Sequence, residues 1–156
     1  MSGRGEVIPE VAWRFEAGRV EAEAWSVVHV EAREAMSELF RARVVLVMES
    51  GGGGLDELLG ARAALTLHRG PLARAVRGVV SEVEELGTTA QQRFVRVDVV
   101  PALWTLSERS DCRIFQGKNT VEIVRAVLDD AGLYPGDRGL RVDAGLGALA
   151  PREYCV

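Results

Sequence analysis

The sequence predicts a mainly β protein with a smaller α-containing part at its C-terminal end. Three observations carry that prediction. Valine recurs in segments of strand length, several of them alternating strictly between apolar and polar residues. Glycine and proline punctuate those segments at turn-like intervals, as in a small barrel or sandwich. After Leu106 the apolar period lengthens from two residues to that of a helix. The plan is therefore strands first, then one helix and part of a further unit. The expected division is 1–106 for the β part and 107–156 for the rest, with a boundary near residues 107–112.

The first expected strand covers 11–17 and puts Trp13 and Phe15 on one face. The second runs from Trp25 to Arg33, where Val28, Val30 and Ala32 alternate with His29, Glu31 and Arg33. From Phe40 to Met48 one face is apolar throughout: Phe40, Ala42, Val44, Leu46 and Met48. The other begins polar with Arg41 and Arg43 and turns apolar at Val45 and Val47. A strand apolar on both faces is covered on both, by its own chain or by a neighbouring subunit. Gly51 to Gly54 reads as a solvent-exposed hairpin loop. Leu55 to Gly60 reads as a single helical turn closed by glycine.

Ala61 to Arg69 is the next strand, followed by the turn Gly70-Pro71. Arg74 to Leu86 forms a long strand, kinked or bulged at Gly78. Arg93 to Val100 alternates again, and Pro101 ends it or marks a sheet edge. Together residues 11–104 should form a mostly antiparallel barrel, with Phe15, Leu65, Leu67, Val95, Val97 and Val99 pointing inward. A helix is expected over 119–131. Asn119 caps it, Glu122 is the reciprocal capping partner, and Gly132 terminates it. Its apolar stripe includes Val124, Val127 and Leu128, which should pack on the barrel or on the following unit. Asp129 and Asp130 sit at the unfavourable end of the helix dipole. Arg152 to Val156 reads as a final strand.

Composition narrows the function classes. The 156 residues are 47% hydrophobic, enough for a core and unlike a disordered tail. The longest apolar runs are strand-sized, too short to cross a bilayer as helices. The start, Met1 to Glu6, lacks the apolar core of a secretory signal, so export by the general pathway is not expected. A formal net charge of −4 from mixed charges gives no broad basic face, which argues against nucleic acid. Two cysteines, Cys112 and Cys155, make neither a disulfide framework nor a zinc site and fit a reducing compartment.

Each residue with possible chemistry has a plainer reading beside it. The glycines at 51–54 lack the Lys-Ser/Thr pair of a phosphate loop, and Asp56 and Glu57 follow closely. His29 and His68 lie on polar strand faces without further ligands at workable spacing, so a metal is not expected. Cys112 beside Arg113 is the one thiol with a reason to be reactive, and a cysteine hydrolase built on it is the enzyme alternative. Ser37 lacks the glycines of a nucleophile elbow. Trp13, Trp25 and Trp104 could stack on sugars or bases, but each lies in or beside an apolar strand, where rings fill cores. Glu82 and Glu84 share a solvent face. No catalytic, cofactor-binding or metal residues are expected, and the chain does not read as an enzyme.

Five blocks, in order, resemble the VgrG family, the spike proteins of type VI secretion and relatives of contractile-phage baseplate hubs. They are Arg33 to Arg41, with its Glu34, Ser37 and Leu39-Phe40; Leu55 to Leu67, with Leu58-Leu59-Gly60; Arg77 to Glu84; Pro101 to Gln116; and Arg152 to Val156. Arg77 stands where that family usually has histidine before the glycine. The resemblance runs from about residue 15 to the end. It implies a phage tail hub/tube-like β-barrel followed by the start of a mixed α/β insertion. It implies a structural part that caps the inner tube and helps carry the puncturing spike and effectors into target cells. The implied partners are a tube protein (an Hcp-like hexamer), other VgrG subunits in a homotrimer, and baseplate components. Direct membrane insertion by this region is not implied. The implied location is the cytoplasm during assembly, then the outside, through the type VI apparatus and without a signal peptide. The family continues into further barrels and a β-helical spike, so this chain reads as a fragment or a truncated copy. A hub in a contractile phage tail or extracellular injection system is the related alternative, and a binder of sugars or single strands through its tryptophans is the distant one.

Overall fold

Strict alternation in the first hundred residues produces one antiparallel sheet whose apolar face folds over on itself. In the computed structural model the described residues are 11–19, 24–49, 55–133, 143, 145 and 149–156. The strands are β1 (Val11–Ala17), β2 (Ser26–Arg33), β3 (Arg41–Glu49), β4 (Arg62–Arg69), β5 (Leu72–Thr88) and β6 (Gln92–Val100). Their order across the sheet is β1-β4-β5-β6-β3-β2, and each neighbouring pair is antiparallel. The loop reading of Gly51 to Gly54 lies outside the described residues.

Period two decides the core. Phe15, Leu65, Val95, Val97 and Val99 are at most 1% exposed, as their placement predicts. Ala42, Val44, Leu46 and Met48 of β3 join them. Leu67 is only half-buried. Its cross-strand row is Trp13–Leu67–Arg74, and the exposed Arg74 marks that row as the rim of the core rather than its centre. Leu58, fully buried, anchors the short 3₁₀ turn at Leu55–Glu57 into the same cluster.

Two expectations about the sheet need correction. The sheet curls far enough for Arg74 of β5 to reach Glu34, in the β2–β3 connection, at 2.5 Å. Yet it is a curled half-barrel: its edges β1 and β2 pair only with β4 and β3 and do not bond to each other. The second correction concerns β2. A bulge between Val27 and His29 puts an extra residue into the strand. Val27 and Val30 therefore both pack on the core, while Val28 is 55% exposed. Simple alternation through Val28, Val30 and Ala32 cannot survive an inserted residue.

The 17-residue strand β5 joins the two halves of the sheet. Leu72 to Val79 pair with β4, and Val79 to Thr88 pair with β6. Register shifts fall between Val80 and Glu82 and between Glu85 and Gly87, just beyond the expected kink. At Gly78 the Val100 main chain passes so close that no side chain fits.

The chain divides into two compact units, Met1–Ala102 and Leu103–Val156. In the second, β7 (Phe115–Lys118) pairs with β8 (Arg152–Cys155), and α1 (Thr120–Asp130) lies between them in sequence. The capping box forms as the sequence predicts. Asn119 Oδ1 accepts from Glu122 N–H at 3.0 Å, and Glu122 Oε2 accepts from Asn119 N–H at 2.7 Å. Gly132 takes φ 67°, and the Leu133 N–H donates to the Leu128 carbonyl at 2.8 Å.

The burial of α1 differs from the expected stripe. Leu128 is buried and Val127 half-buried, but Val124 is 42% exposed. The four-residue strands of the β7–β8 ribbon are too short to cover three turns of helix. Val124→Asp should therefore change stability by no more than about 1 kcal/mol, since no charge is fully buried. A loss of several kcal/mol in urea titrations would mean that Val124 is covered in solution.

Candidate functional site

Within the first unit the two histidines do not converge. His29 is exposed on β2 opposite Val45, and His68 is exposed on β4 opposite Ala73. Three strands separate β2 from β4 in the sheet. Cys112 belongs to the second unit and both histidines to the first. Arg113, the reason to consider a reactive thiol, donates instead to Asp111 at 2.5 Å and Asp130 at 2.6 Å. Ser37 sits in the β2–β3 connection at φ 62°. Trp25 is 7% exposed and part of the core, Trp104 is half-buried, and Trp13 is 37% exposed on β1. They stand on three different segments, Trp13 and Trp25 in the first unit and Trp104 in the second. Among the described residues no three His, Cys, Asp or Glu side chains gather as a metal would require.

What the sheet does assemble is a surface of cross-strand ion pairs. Asp98 of β6 points away from the valine core yet is 2% exposed. The Arg43 fork covers it, with Nε to Oδ1 at 3.0 Å and an Nη to Oδ2 at 3.1 Å, and Arg41 adds a third bond at 3.1 Å. Register explains the arrangement, because Arg43 lies directly opposite Asp98. Such a bidentate carboxylate pair is the stronger kind of ion pair. The bond to Asp98 raises the Arg43 pKa further above its ordinary value. On that outer face Arg96 also pairs with Glu84, while Arg93, which has the core-facing parity of Val95 and lies at the rim, pairs with Glu85 at 2.6 Å. Glu84, on the expected solvent face, is thus a paired residue. An open cleft of about 360 Å³ at this end, lined by Glu31, Arg33, Glu38, Leu39, Arg41 and Arg43, presents arginines already bound: Arg33 to Glu38, and the other two to Asp98. Asp98 is the residue that sequence reasoning missed. The available signal was opposite charge at facing strand positions, which requires the register.

In the second unit Arg113 ties the segment before β7 to the end of α1. Its hydrogen bond holds the Asp130 carboxyl below the usual carboxylate range and offsets the unfavourable dipole position. The bonds from Arg93, then Thr88, do the same for Glu85. Depressed carboxyl pKa values contribute stability that is present above the unfolded value, near about 4, and lost as pH falls through the folded one. Stability should therefore decline on acidification below about pH 4, less steeply in Asp130→Asn or Glu85→Gln. Thermal unfolding between pH 7 and pH 3 checks this, and an identical decline in both variants would remove these pairs as a cause.

Comparison with known proteins places this arrangement in a family. The sequence family described as phage tail baseplate hub (GPD) matches residues 33–156. The type VI secretion system spike protein VgrG1b of Pseudomonas aeruginosa is 33% identical over 137 residues, covering 86% of this chain and 18% of that protein. VgrG3 of Vibrio cholerae is 30% identical over 118 residues, covering 75% of this chain and 11% of that protein. The chain thus spans less than a fifth of the length of these relatives. Among solved structures, the Escherichia coli c3393 protein superposes with a TM-score of 0.74 at 17% identity, covering 91% of this chain and 38% of that one. That protein is described as a component of the type VI secretion system with structural similarity to the T4 bacteriophage tail proteins gp27 and gp5. The 43 kDa tail protein of prophage MuSo2 from Shewanella oneidensis gives 0.58 at 14% identity, covering 92% of this chain and 42% of that one. With the family match running from Arg33 to the last residue, the chain belongs to the phage tail baseplate hub family.

Proposed function

We propose that this chain is the hub region of a type VI secretion spike. It caps the inner tube and helps carry the puncturing spike and its effectors into target cells. The observation that carries the reading is the family match over 33–156, joined to identity above 30% with VgrG1b. The physical character of the sheet supports it. Its side chains are spent on a valine core and on cross-strand ion pairs, which suit a rigid structural part. Catalysis is not part of the proposal, and Cys112 with its neighbours supplies no reason to add it.

Residues 1–106 are the hub/tube-like part in this reading, built on the curled half-barrel, and 107–156 begin an α/β insertion. The partners are a hexameric tube protein, baseplate components and, in a longer protein, two further copies in a trimer. The protein assembles in the cytoplasm and leaves through the apparatus. Among the described residues no helix is long and apolar enough to cross a membrane. In a cell with an active type VI system, deleting this region from the gene should abolish release of tube protein into the medium. Undiminished release would refute the role.

A further inference from the structure

We propose that Met36 is an oxidation site, whose thioether peroxide converts reversibly to the sulfoxide while the fold stays intact. The β2–β3 connection, residues 34–40, presents this side chain at the corner of a tight turn. Glu38 N–H donates to the Ala35 carbonyl at 3.4 Å, and Met36 and Ser37 form the two corners between them. Ser37 completes the turn at φ 62°, in the left-handed region that serine seldom adopts. Arg33 bonds Glu38 at 3.3 Å and Arg74 bonds Glu34, so ion pairs flank the turn. Behind it Phe40 packs on the core. These contacts hold a shape that leaves Met36 96% exposed.

No other large apolar side chain among the described residues is so open to water. Met48, the other described methionine, is 5% exposed and belongs to the core cluster. A methionine reacts as an oxidant gains access to its sulfur, so exposure alone separates the two. The step is a two-electron oxygen transfer. A sulfur lone pair attacks one oxygen of hydrogen peroxide, the O–O bond breaks and an S–O bond forms. The departing hydroxide takes the proton left on the transferred oxygen and leaves as water. Sulfur is oxidised and the peroxide reduced. A thioether has no proton to lose, so the reaction needs no neighbouring base.

The product changes the character of the turn. A flexible apolar tip becomes a polar one whose oxygen accepts hydrogen bonds. The core does not rest on this side chain, so the change is confined to the surface. The same exposure leaves the sulfoxide open to the reductases that reverse it, one for each epimer at sulfur. The turn is thereby a redox-sensitive element of the surface.

The test treats the folded 156-residue chain with hydrogen peroxide and follows each methionine by mass spectrometry of proteolytic peptides. Met36 should gain oxygen at least about tenfold faster than Met48, and in denaturing urea the two rates should agree within about twofold. Oxidised wild type and equally treated Met36→Leu should melt within about 2 °C of each other, with any oxidation at the cysteines common to both. The two methionine sulfoxide reductases, supplied with dithiothreitol, should then remove the added oxygen from Met36. Equal rates in the folded chain would mean that Met36 is shielded in solution and would overturn the site. A lower melting temperature in the oxidised wild type than in treated Met36→Leu would show that the side chain supports the fold, and so reject a change confined to the surface. Oxygen that neither reductase removes would reject reversibility.

Discussion

Replacing Gly78 by alanine is expected to lower stability by about 3 kcal/mol, at the upper end of what overpacking a close-packed site costs. A Cβ built at this position overlaps the Val100 carbonyl oxygen and stands 2.8 Å from its carbon. Both atoms are main chain, so no flexible side chain can swing aside. The two strands would have to separate at the point where β5 leaves β4 and begins to pair with β6. That handover holds the two halves of the sheet together, and the Val80–Val99 pair of the core follows immediately. Gly87→Ala is the matched control. It lies in the same strand, and nothing comes within 4 Å of its added Cβ, so stability should change by less than about 1 kcal/mol. Urea titrations followed by far-ultraviolet circular dichroism compare the two. Equal midpoints would show that β5 and β6 do not approach each other this closely in solution.

The difference between those two glycines was not legible in the sequence. Gly78 interrupts the expected strand and Gly87 follows its expected end, and a glycine in a strand signals a bulge or a close approach without saying which. The strands themselves were legible, because an apolar residue at every second position can bury only one face. Hence the core of Phe15, Leu65, Val95, Val97 and Val99 could be named from spacing alone. Where spacing failed, a backbone irregularity was responsible. The bulge at Val27 to His29 changes which valines of β2 point inward, and an inserted residue leaves no mark on composition. The open edge between β1 and β2 is a second case, since sheet closure depends on stagger and curvature summed over all the strands. Val124 is a third. Helical periodicity identifies an apolar stripe, but what lies against it determines how much of that stripe is buried.

The candidate site was legible to a different degree. Cys112, His29 and His68 are scattered in the sequence, and the fold puts the two histidines on separate strands. The family was legible because five short blocks occur in a fixed order. The charged architecture of the outer face was not. Arg41, Arg43 and Asp98 are unremarkable polar positions until β3 and β6 are paired in register.

Asp98→Ala is expected to cost about 2–3 kcal/mol, below the roughly 3–5 kcal/mol typical when one member of a fully buried pair is removed. The reasoning turns on exposure. Asp98 is 2% exposed and accepts three charged hydrogen bonds, so its carboxylate depends on the two arginines for solvation. The arginines are 52% and 39% exposed, and water can rehydrate them once the carboxylate is gone. The loss is therefore of three charge-assisted bonds and of packing beneath them, without a stranded buried cation. The mirror-image change is different in kind. Arg43→Ala removes the bidentate fork and leaves the buried Asp98 carboxyl beneath a single remaining arginine, so it should cost at least as much as Asp98→Ala. Asp98→Asn keeps the shape but turns an amide N–H₂ toward a guanidinium, so it should recover little. A double-mutant cycle over Asp98 and Arg43 isolates the pair, with an expected coupling of about 1–2 kcal/mol. Coupling near zero would mean that Asp98 is held by its strand rather than by Arg43, and that the ion pairs of this face are ornaments of the fold instead of part of what stiffens it.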